Sequence, residues 1–432
     1  MILAQRARAQ LRIAAWAISI GIALFCGLVA TSLLIARQTE QRDRDQFARL
    51  APREHRLAIY DAFWNQVSAH YYDQRFTGFA WQALRRDWRP TAADAATDQD
   101  LYLNVLFQLV QQFPSSHFDI MPPPASTAPV AASESATTAN PLLTFESDLG
   151  FEPVTVRRGA ARQWLVGDVT KGSAADSAGI EPGWAILSGT LTYPGGGRAR
   201  YAGEFIDPAA HKVSVSLEVT APAPRPQHLI RVLPDGAVYI RFDSFLEPAT
   251  IDKVLAAIDT ADQHGLILDL RGNTGGLISQ ERRLMSRLLP ARSVLGSARS
   301  SSGIESWRAS IFSAHYQGPL IVLIGPRSAS AAEVVAAAVQ GNHRGLLIGR
   351  TTNGSVLLAQ RFPLPDGGSV LVPASDFMTP DGRRIEGAGV LPDIEIMPTL
   401  KDIRAGHDLV LERAERELRA GACAGASRRC GD

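Results

Sequence analysis

A serine between an apolar strand and a helix is the first candidate for chemistry in this sequence. The apolar run Leu320–Ile324 leads into a turn of small residues, and a helical pattern begins at Ala331, directly after Ser330. The Ser330 hydroxyl would lie beside free backbone N–H groups and the positive end of the helix dipole, which both favour an anion developing next to a nucleophile. A helix N-cap serine has the same pattern, so Ser330 alone does not establish catalysis.

A glycine-rich loop, with the sequence RGNTGG, follows a second apolar run at Leu266–Leu270. Adjacent glycines adopt backbone conformations closed to other residues, and they let N–H groups approach a substrate carbonyl. An oxyanion hole needs two such donors, one of them typically beside the nucleophile. We therefore expect the N–H donors of an oxyanion hole to come from Gly275, Gly276 and Ala331. A phosphate-binding loop is the alternative, but the Gly-Lys-Ser/Thr signature is missing.

The segments LILDLRGNTGG and SASAAEVVAAAVQ together resemble the carboxy-terminal-processing and tricorn-type serine peptidases. The resemblance runs from about Asp61 to Ile396, and AFWNQVSAHYYDQRFTGFAWQAL is similar to the family's N-terminal helical region. It implies an α/β (α+β) fold with a crotonase/ClpP-like catalytic core. It also implies a peptidase that forms an acyl-enzyme with a polypeptide substrate, recognised through the substrate's C-terminus.

The resemblance assigns the nucleophile and excludes one possible base. Aligning SASAAE with the family's SASE through the final acidic residue makes Ser330 the nucleophile and leaves Ser328 as a turn residue. Processing peptidases commonly activate this serine with a lysine, but Ser355 stands at the corresponding position here. The four lysines of the chain, Lys253 among them, lie outside the core motifs. A Ser–Lys dyad is therefore not expected.

A histidine base is implied instead by the tricorn-type branch of the family. His117 follows Ser116 in the N-terminal helical region, where that branch has its Ser-His pair. By this resemblance His117 is the general base and later the general acid, and Ser116 is a supporting hydrogen-bonding group. Glu386, in IEGAGVLPD, would orient the imidazole and stabilise its protonated form, although Gly387 replaces the family's usual Asn. Without the motif order, His117 would be an ordinary surface or core histidine, and Glu386 an exposed loop carboxylate.

The N-terminal residues predict a membrane anchor. Residues 13–36 contain no charged side chain, and about 20 apolar residues suffice for a helix to cross a bilayer. We expect residues 1–37 to be a single-pass signal anchor in the inner membrane, with the body of the protein in the periplasm or otherwise outside the cytoplasm. A cleaved signal peptide is the alternative, but its apolar core is usually only about 7–15 residues long.

The remaining sequence divides into five segments by composition and pattern. Apolar runs alternate with helical patterns in the core, which favours an α/β arrangement; strands are predicted at 238–242, 266–270, 320–324, 346–348 and 369–373, and helices at 251–262, 280–289 and 331–340. The segments are a helical N-terminal part of the peptidase (53–121), a Pro/Ala/Ser/Thr linker (122–141), a PDZ-like domain (142–222), the catalytic core (227–398) and a C-terminal helix and tail (399–432).

The inserted β domain resembles a PDZ domain. The tripeptide Leu149, Gly150 and Phe151 is similar to the PDZ carboxylate-binding loop, and the run GSAA…AGI.PGW.I follows in the PDZ order. Trp184 replaces the more usual Asp. The resemblance implies that this domain binds a peptide C-terminus.

Other classes of function find little support. The net charge of +1 argues against a nucleic-acid binder, because phosphate binding needs a basic surface. No His/Cys cluster with ligand spacing and no dinucleotide loop occurs, so neither a metal nor an organic cofactor is expected. Cys423 and Cys430 are predicted to form a disulfide in an oxidising compartment. The alternatives to a peptidase are a catalytically silent relative that binds a polypeptide or a hydrophobic ligand, and a PDZ scaffold.

Overall fold

The structure is a computed structural model that describes residues 46–76, 80–113, 115–123, 149–158, 161–169, 173–195, 198–220, 228–261, 264–312, 315–397, 402 and 407–421. The predicted membrane anchor, most of the predicted linker and both C-terminal cysteines lie outside these ranges. Within them, no helix is long and apolar enough to cross a membrane.

The described helices are α1 (Pro52–His70), α2 (Trp81–Asp94), α3 (Asp98–Asp100), a π-helix (Leu101–Leu106), α4 (Phe107–Val110), α5 (Ala174–Ser177), α6 (Pro248–Thr260), α7 (Ile278–Leu288), α8 (Ala331–Gly341) and α9 (Leu409–Arg419). The described strands are β1 (Asp119–Met121), β2 (Phe151–Arg158), β3 (Ala161–Val169), β4 (Ala185–Gly195), β5 (Arg198–Ile206), β6 (Lys212–Thr220), β7 (His228–Val232), β8 (Val238–Phe242), β9 (Leu266–Asp269), β10 (Val294–Ser300), β11 (Gly303–Arg308), β12 (Leu320–Ile324), β13 (Leu346–Gly349), β14 (Leu358–Pro363), β15 (Ser369–Met378) and β16 (Ile394–Glu395).

These elements form two compact units. The described parts of 1–114, 118–125 and 360–372 make up the helical unit, and those of 115–117, 126–359 and 373–432 make up the catalytic unit. In the helical unit, α1 buries Ile59, Phe63 and Val67 at helical spacing, within the segment that the sequence predicts to be helical. Its core also contains Tyr102, whose hydroxyl donates to the carboxylate of Asp366. In this unit β1 pairs antiparallel with the first residues of β15.

Strands β2 to β6 form an antiparallel sheet in sequential order, with the short helix α5 between β3 and β4. Leu149, Phe151, Ile180 and Phe205 contribute to a separate small core under this sheet. Since β2 pairs only with β3, the described strands leave one edge of β2 without a neighbour. The predicted PDZ-like character of this segment stays a prediction.

A six-stranded sheet, in the order β16-β13-β12-β9-β8-β7, forms the centre of the catalytic unit. Neighbouring strands among β8, β9, β12, β13 and β16 all pair in parallel, and β7 is antiparallel to β8. Parallel strands covered on both faces are apolar at nearly every position, and all five residues of β12 are buried. The predicted alternation of strands and helices in this region is confirmed by the order of its elements.

Alternate residues of the central strands face two different cores. Val322 of β12 packs with residues of α6, α7 and α8, whereas Ile321 packs with α9 on the opposite face. Leu323 of β12 is in register with Asp269 of β9. Because parallel strands end at the same edge of a sheet, the loops after β9 and β12 emerge side by side. This register brings the glycine-rich loop to the turn that contains Ser330.

Candidate active site

Ser330 is the N-cap residue of α8 and has a left-handed backbone, with φ of 56° and ψ of −120°. Such a conformation is uncommon for a residue with a side chain, and strained residues of this kind cluster at active sites. The side chain of Ser330 is partly exposed. A hydroxyl held on a sharp turn between a strand and a helix, within reach of solvent, has the placement of a nucleophile.

Ser328 has a different role in the same turn. Its side chain is completely buried, its hydroxyl donates to the carbonyl of Leu270 at 2.7 Å, and it accepts the N–H of Gly325 at 3.0 Å. These bonds join the ends of the two loops that follow β9 and β12. Ser328 is thus a structural residue in the turn, as the sequence predicts, and it is not available for nucleophilic attack.

The glycine-rich loop lies directly against Ser330. A Cβ atom added to Gly275 would lie 2.5 Å from the Cβ of Ser330, and Gly275 has a φ of 94°, so a larger residue would be both crowded and strained. The N–H of Gly275 donates to Oδ1 of Asn273 at 2.9 Å. The expectation that Gly275 offers a free donor is therefore wrong for this conformation, because the side chain of Asn273 occupies that donor.

Gly276 and Ala331 remain as candidate oxyanion-hole donors. Among the described residues, no acceptor pairs with the N–H group of either. Ala331 is the first residue of α8, where N–H groups have no partner within the helix. Asn273 supports this arrangement from behind: it is fully buried, its Nδ2 donates to Phe242, and its carbonyl accepts the N–H of Ala329.

His117 is half-buried and also has a left-handed backbone, with φ of 58°. Its Nδ1 lies 2.9 Å from Oγ of Ser116, and the Ser116 hydroxyl donates to Oε2 of Glu386 at 2.9 Å. Oε1 of Glu386 accepts the N–H of Ser116 at 2.8 Å. In the described contacts, Ser116 therefore connects the imidazole to the carboxylate. From the sequence, Ser116 was only a supporting group, and the structure gives it the bridging position.

A single short segment connects Ser330 with His117 and Glu386 through hydrogen bonds. The carbonyl of Ser355 accepts the N–H of Ser330 at 2.9 Å, and the N–H of the next residue, Val356, donates to Glu386 at 2.8 Å. The N–H of Leu357 donates to Oγ of Ser116 at 3.4 Å. Three consecutive residues extend over at most about 7 Å between their outer Cα atoms. These hydrogen bonds thus attach both Ser330 and Ser116 to residues 355–357.

The pKa of His117 is lowered, chiefly because burial disfavours the charged imidazolium, while the charge of Glu386 acts in the opposite direction. The charge of Glu386 does favour the protonated imidazole, but the cost of burial is the larger effect, so the net direction is downward. A lowered pKa keeps the imidazole neutral near pH 7, which is the form that a general base requires.

A lysine base has no structural support among the described residues. Lys253 is exposed on α6, and Ser355, at the family's lysine position, donates its hydroxyl to the side chain of Asn353. The described residues also contain no group of three or more His, Cys, Asp or Glu side chains that could hold a metal ion.

Sequence reasoning missed two residues of the site. Asn273 was read only as part of a glycine-rich loop, and Glu333 only as the marker that aligns the SASAAE motif. Glu333 is completely buried, and its Oε2 accepts the N–H of Ser330 at 3.1 Å. The spacing Ser-x-x-Glu at the start of a helix is the sequence signal of such a bond.

Comparisons with known proteins agree with this fold. Residues 236–396 match the model of peptidase family S41, and residues 52–110 match the tricorn protease C1 domain. The chain is 31% identical over 188 residues to the carboxy-terminal-processing protease of Bartonella bacilliformis, covering 42% of this chain and 43% of that protein. It is 32% identical over 157 residues to the carboxyl-terminal-processing protease of Synechocystis sp., covering 36% of each. The matched part thus spans less than half of these relatives.

Solved structures share the mixed α/β fold at low sequence identity. The photosystem II D1 C-terminal processing protease aligns with a TM-score of 0.55 and 22% identity, over 82% of this chain and 98% of that one. Mature CPAF aligns with a TM-score of 0.57 and 14% identity, over 85% and 99% of the two chains. At these identities the likeness concerns the fold alone.

Proposed function

We propose, from the peptidase family S41 domain that this chain carries, that the protein is a membrane-anchored serine peptidase acting on polypeptides through an acyl-enzyme on Ser330. The observation that supports this most directly is the series of hydrogen bonds from His117 through Ser116 to Glu386. The adjacent residues Ser355 and Val356 bind Ser330 and Glu386, respectively. Among the described residues, this arrangement combines a hydroxyl nucleophile, a neutral base and a carboxylate.

In the proposed reaction, Oγ of Ser330 attacks the carbonyl carbon of the scissile peptide bond and its proton passes to Nε2 of His117. The imidazolium that forms donates from Nδ1 to Ser116, whose hydroxyl in turn donates to Glu386. The N–H groups of Gly276 and Ala331 stabilise the oxygen that becomes negative.

Collapse of this intermediate breaks the C–N bond, and His117 gives its proton to the leaving amine. The products of this half-reaction are an ester on Ser330 and a new N-terminal amine. Water then attacks the ester with His117 again acting as base, which releases the carboxylic acid and restores the serine. The atoms and protons balance with the substrate and water alone.

The substrate is proposed to be a polypeptide recognised through its C-terminus. The relatives named above are carboxy-terminal-processing proteases, and β2 offers an edge to which an extended peptide can add as a strand. The C-terminal carboxylate of the bound peptide would be held at Leu149, Gly150 and Phe151. Amidation of a peptide's C-terminus should weaken its binding, and equal binding of the free and amidated peptides would exclude this role.

The location follows from the N-terminal residues and is equally a proposal. With residues 1–37 as an anchor, the catalytic unit would lie outside the cytoplasm, in the periplasm of a bacterium with two membranes. Protease added to spheroplasts should then digest the protein. Digestion only after the membrane is ruptured would reverse the topology.

Replacement of the nucleophile tests the activity itself. Ser330→Ala should lose hydrolysis of an unstructured polypeptide by on the order of 10⁴-fold or more, because loss of a nucleophile removes the covalent route. A fluorophosphonate probe should label the wild-type protein and leave Ser330→Ala unlabelled. A wild-type protein that binds polypeptides but neither cleaves them nor reacts with the probe would instead be a catalytically silent relative.

A further inference from the structure

Glu333, on the first turn of α8, is completely buried and accepts four hydrogen bonds. Its Oε1 accepts from the hydroxyl of Thr352 at 2.5 Å and from the N–H of Gly354 at 2.6 Å. Its Oε2 accepts from the N–H groups of Ser355 at 2.8 Å and Ser330 at 3.1 Å. An ionised carboxylate has about four lone-pair sites, so these donors satisfy it completely.

The two donors to Oε1 also hold the loop that follows Glu386. The hydroxyl oxygen of Thr352 accepts the N–H of Val390 at 2.7 Å. The carbonyl of Gly354 accepts the N–H of Gly387 at 2.7 Å. One buried carboxylate is therefore connected to the nucleophile, to the segment 352–357 and, through that segment, to the loop that carries the carboxylate of the site.

We propose that Glu333 is a positioning residue, which holds Ser330 in register with the segment on which Ser116 and Glu386 are bound. This inference rests on the function proposed above. Helix capping alone would require only the bond from Ser330. The other three donors are 19, 21 and 22 residues further along the chain. The carboxylate thus joins two separate parts of the site in addition to beginning a helix.

A glutamine in place of Glu333 would keep the shape of the side chain but would lose one of its two acceptor oxygens. Three of the four partners are backbone N–H groups, which can only donate, and an amide has only one acceptor atom, so its NH₂ group would face at least one of these N–H groups. Relief of that conflict requires movement of either Ser330 or the segment 352–357. Aspartate keeps both acceptor oxygens, although its side chain is one methylene shorter.

We therefore expect Glu333→Gln to lower kcat by on the order of 10²-fold with KM within about threefold of the wild type, because hydrogen bonds to a charged group that hold the transition-state geometry are lost. Fluorophosphonate labelling of Ser330 should slow by a similar factor, and Glu333→Asp should recover part of both rates. The matched control is Glu281→Gln, which changes another buried glutamate on the first turn of a helix. It should leave kcat nearly unchanged.

These measurements distinguish a positioning role of Glu333 from a role as helix cap alone, and both from a failure of the proposed function. A Glu333→Gln protein with a lowered melting temperature but wild-type kcat and labelling rate would overturn the positioning role and leave a helix cap. Recovery by Glu333→Asp supports positioning, since a packing defect would not respond to the restored charge. If Ser330→Ala stays active, the proposed peptidase mechanism fails, independently of any result at Glu333.

Discussion

Removal of the Ser116 hydroxyl tests whether the histidine and the carboxylate communicate through a serine. In Ser116→Ala, Nδ1 of His117 loses its partner at 2.9 Å, and Glu386 loses one of three donors. The carboxylate keeps the N–H groups of Ser116 and Val356, both at 2.8 Å. The geometry of Glu386 should therefore survive, and the loss should concentrate on the imidazolium.

The magnitude follows from one charge-assisted hydrogen bond. Such a bond is worth about 1.5–3 kcal/mol, and it matters most when the imidazole carries the proton in the transition state. Since about 1.4 kcal/mol corresponds to a factor of ten, Ser116→Ala should reduce kcat/KM by roughly 10- to 150-fold. His117→Ala should cost far more, on the order of 10⁴-fold or above, because it removes the base altogether.

The assay is kcat/KM on an internally quenched, unstructured peptide, with thermal melting as a check on folding. Ser116→Thr serves as the matched control, because it keeps a hydroxyl at the same position. If Ser116→Ala is within threefold of the wild type, the bridge contributes nothing to turnover. If it is as inactive as His117→Ala while folded, Ser116 has a larger role than one hydrogen bond.

Two further predictions concern pH. Because burial lowers the pKa of His117, and the base must be neutral, kcat/KM should decline with falling pH at a midpoint below the ordinary histidine value of about 6.5; a midpoint above it would contradict the buried environment. Burial raises the pKa of Glu281 from 4.5 to about 8, so the stability it contributes should be complete below pH 4.5 and lost as pH rises through about 8. The free energy of unfolding, measured with urea between those pH values, should decrease less with rising pH in Glu281→Gln than in the wild type. An identical dependence on pH in the two proteins would argue against a titrating Glu281.

The central sheet could be predicted from sequence because its strands are apolar at almost every position. The bounds predicted for β8 and β12 agree with the structure, and those of β9 differ by one residue. The β10–β11 hairpin was not predicted. Its second strand exposes all but one of its residues, so no apolar alternation marks it. The predicted strand at 369–373 is part of the longer β15, which extends to Met378.

The hydrogen bonds within the candidate site could not be predicted from the sequence. The bond from Ser116 to Glu386 joins residues 270 positions apart, and no local pattern encodes which atom of the pair faces the imidazole. The direction of the Gly275 N–H likewise depends on where the buried Asn273 side chain points. A motif identifies residue types that meet in the fold, whereas the assignment of each donor to an acceptor is decided by three-dimensional geometry.

Backbone strain at two positions connects the stability of this site with its chemistry. Ser330 and His117 both have positive φ, and a non-glycine residue in such a conformation costs of order 1–3 kcal/mol. The N–H of Ser330 is held by Ser355 and Glu333, and Ser116, next to His117, is held twice by Glu386. Glu333 and Glu386 each accept further N–H groups from the segment 352–357, so loosening that segment would relax both strained residues together. We therefore expect substitutions there to lower turnover before they unfold the catalytic unit.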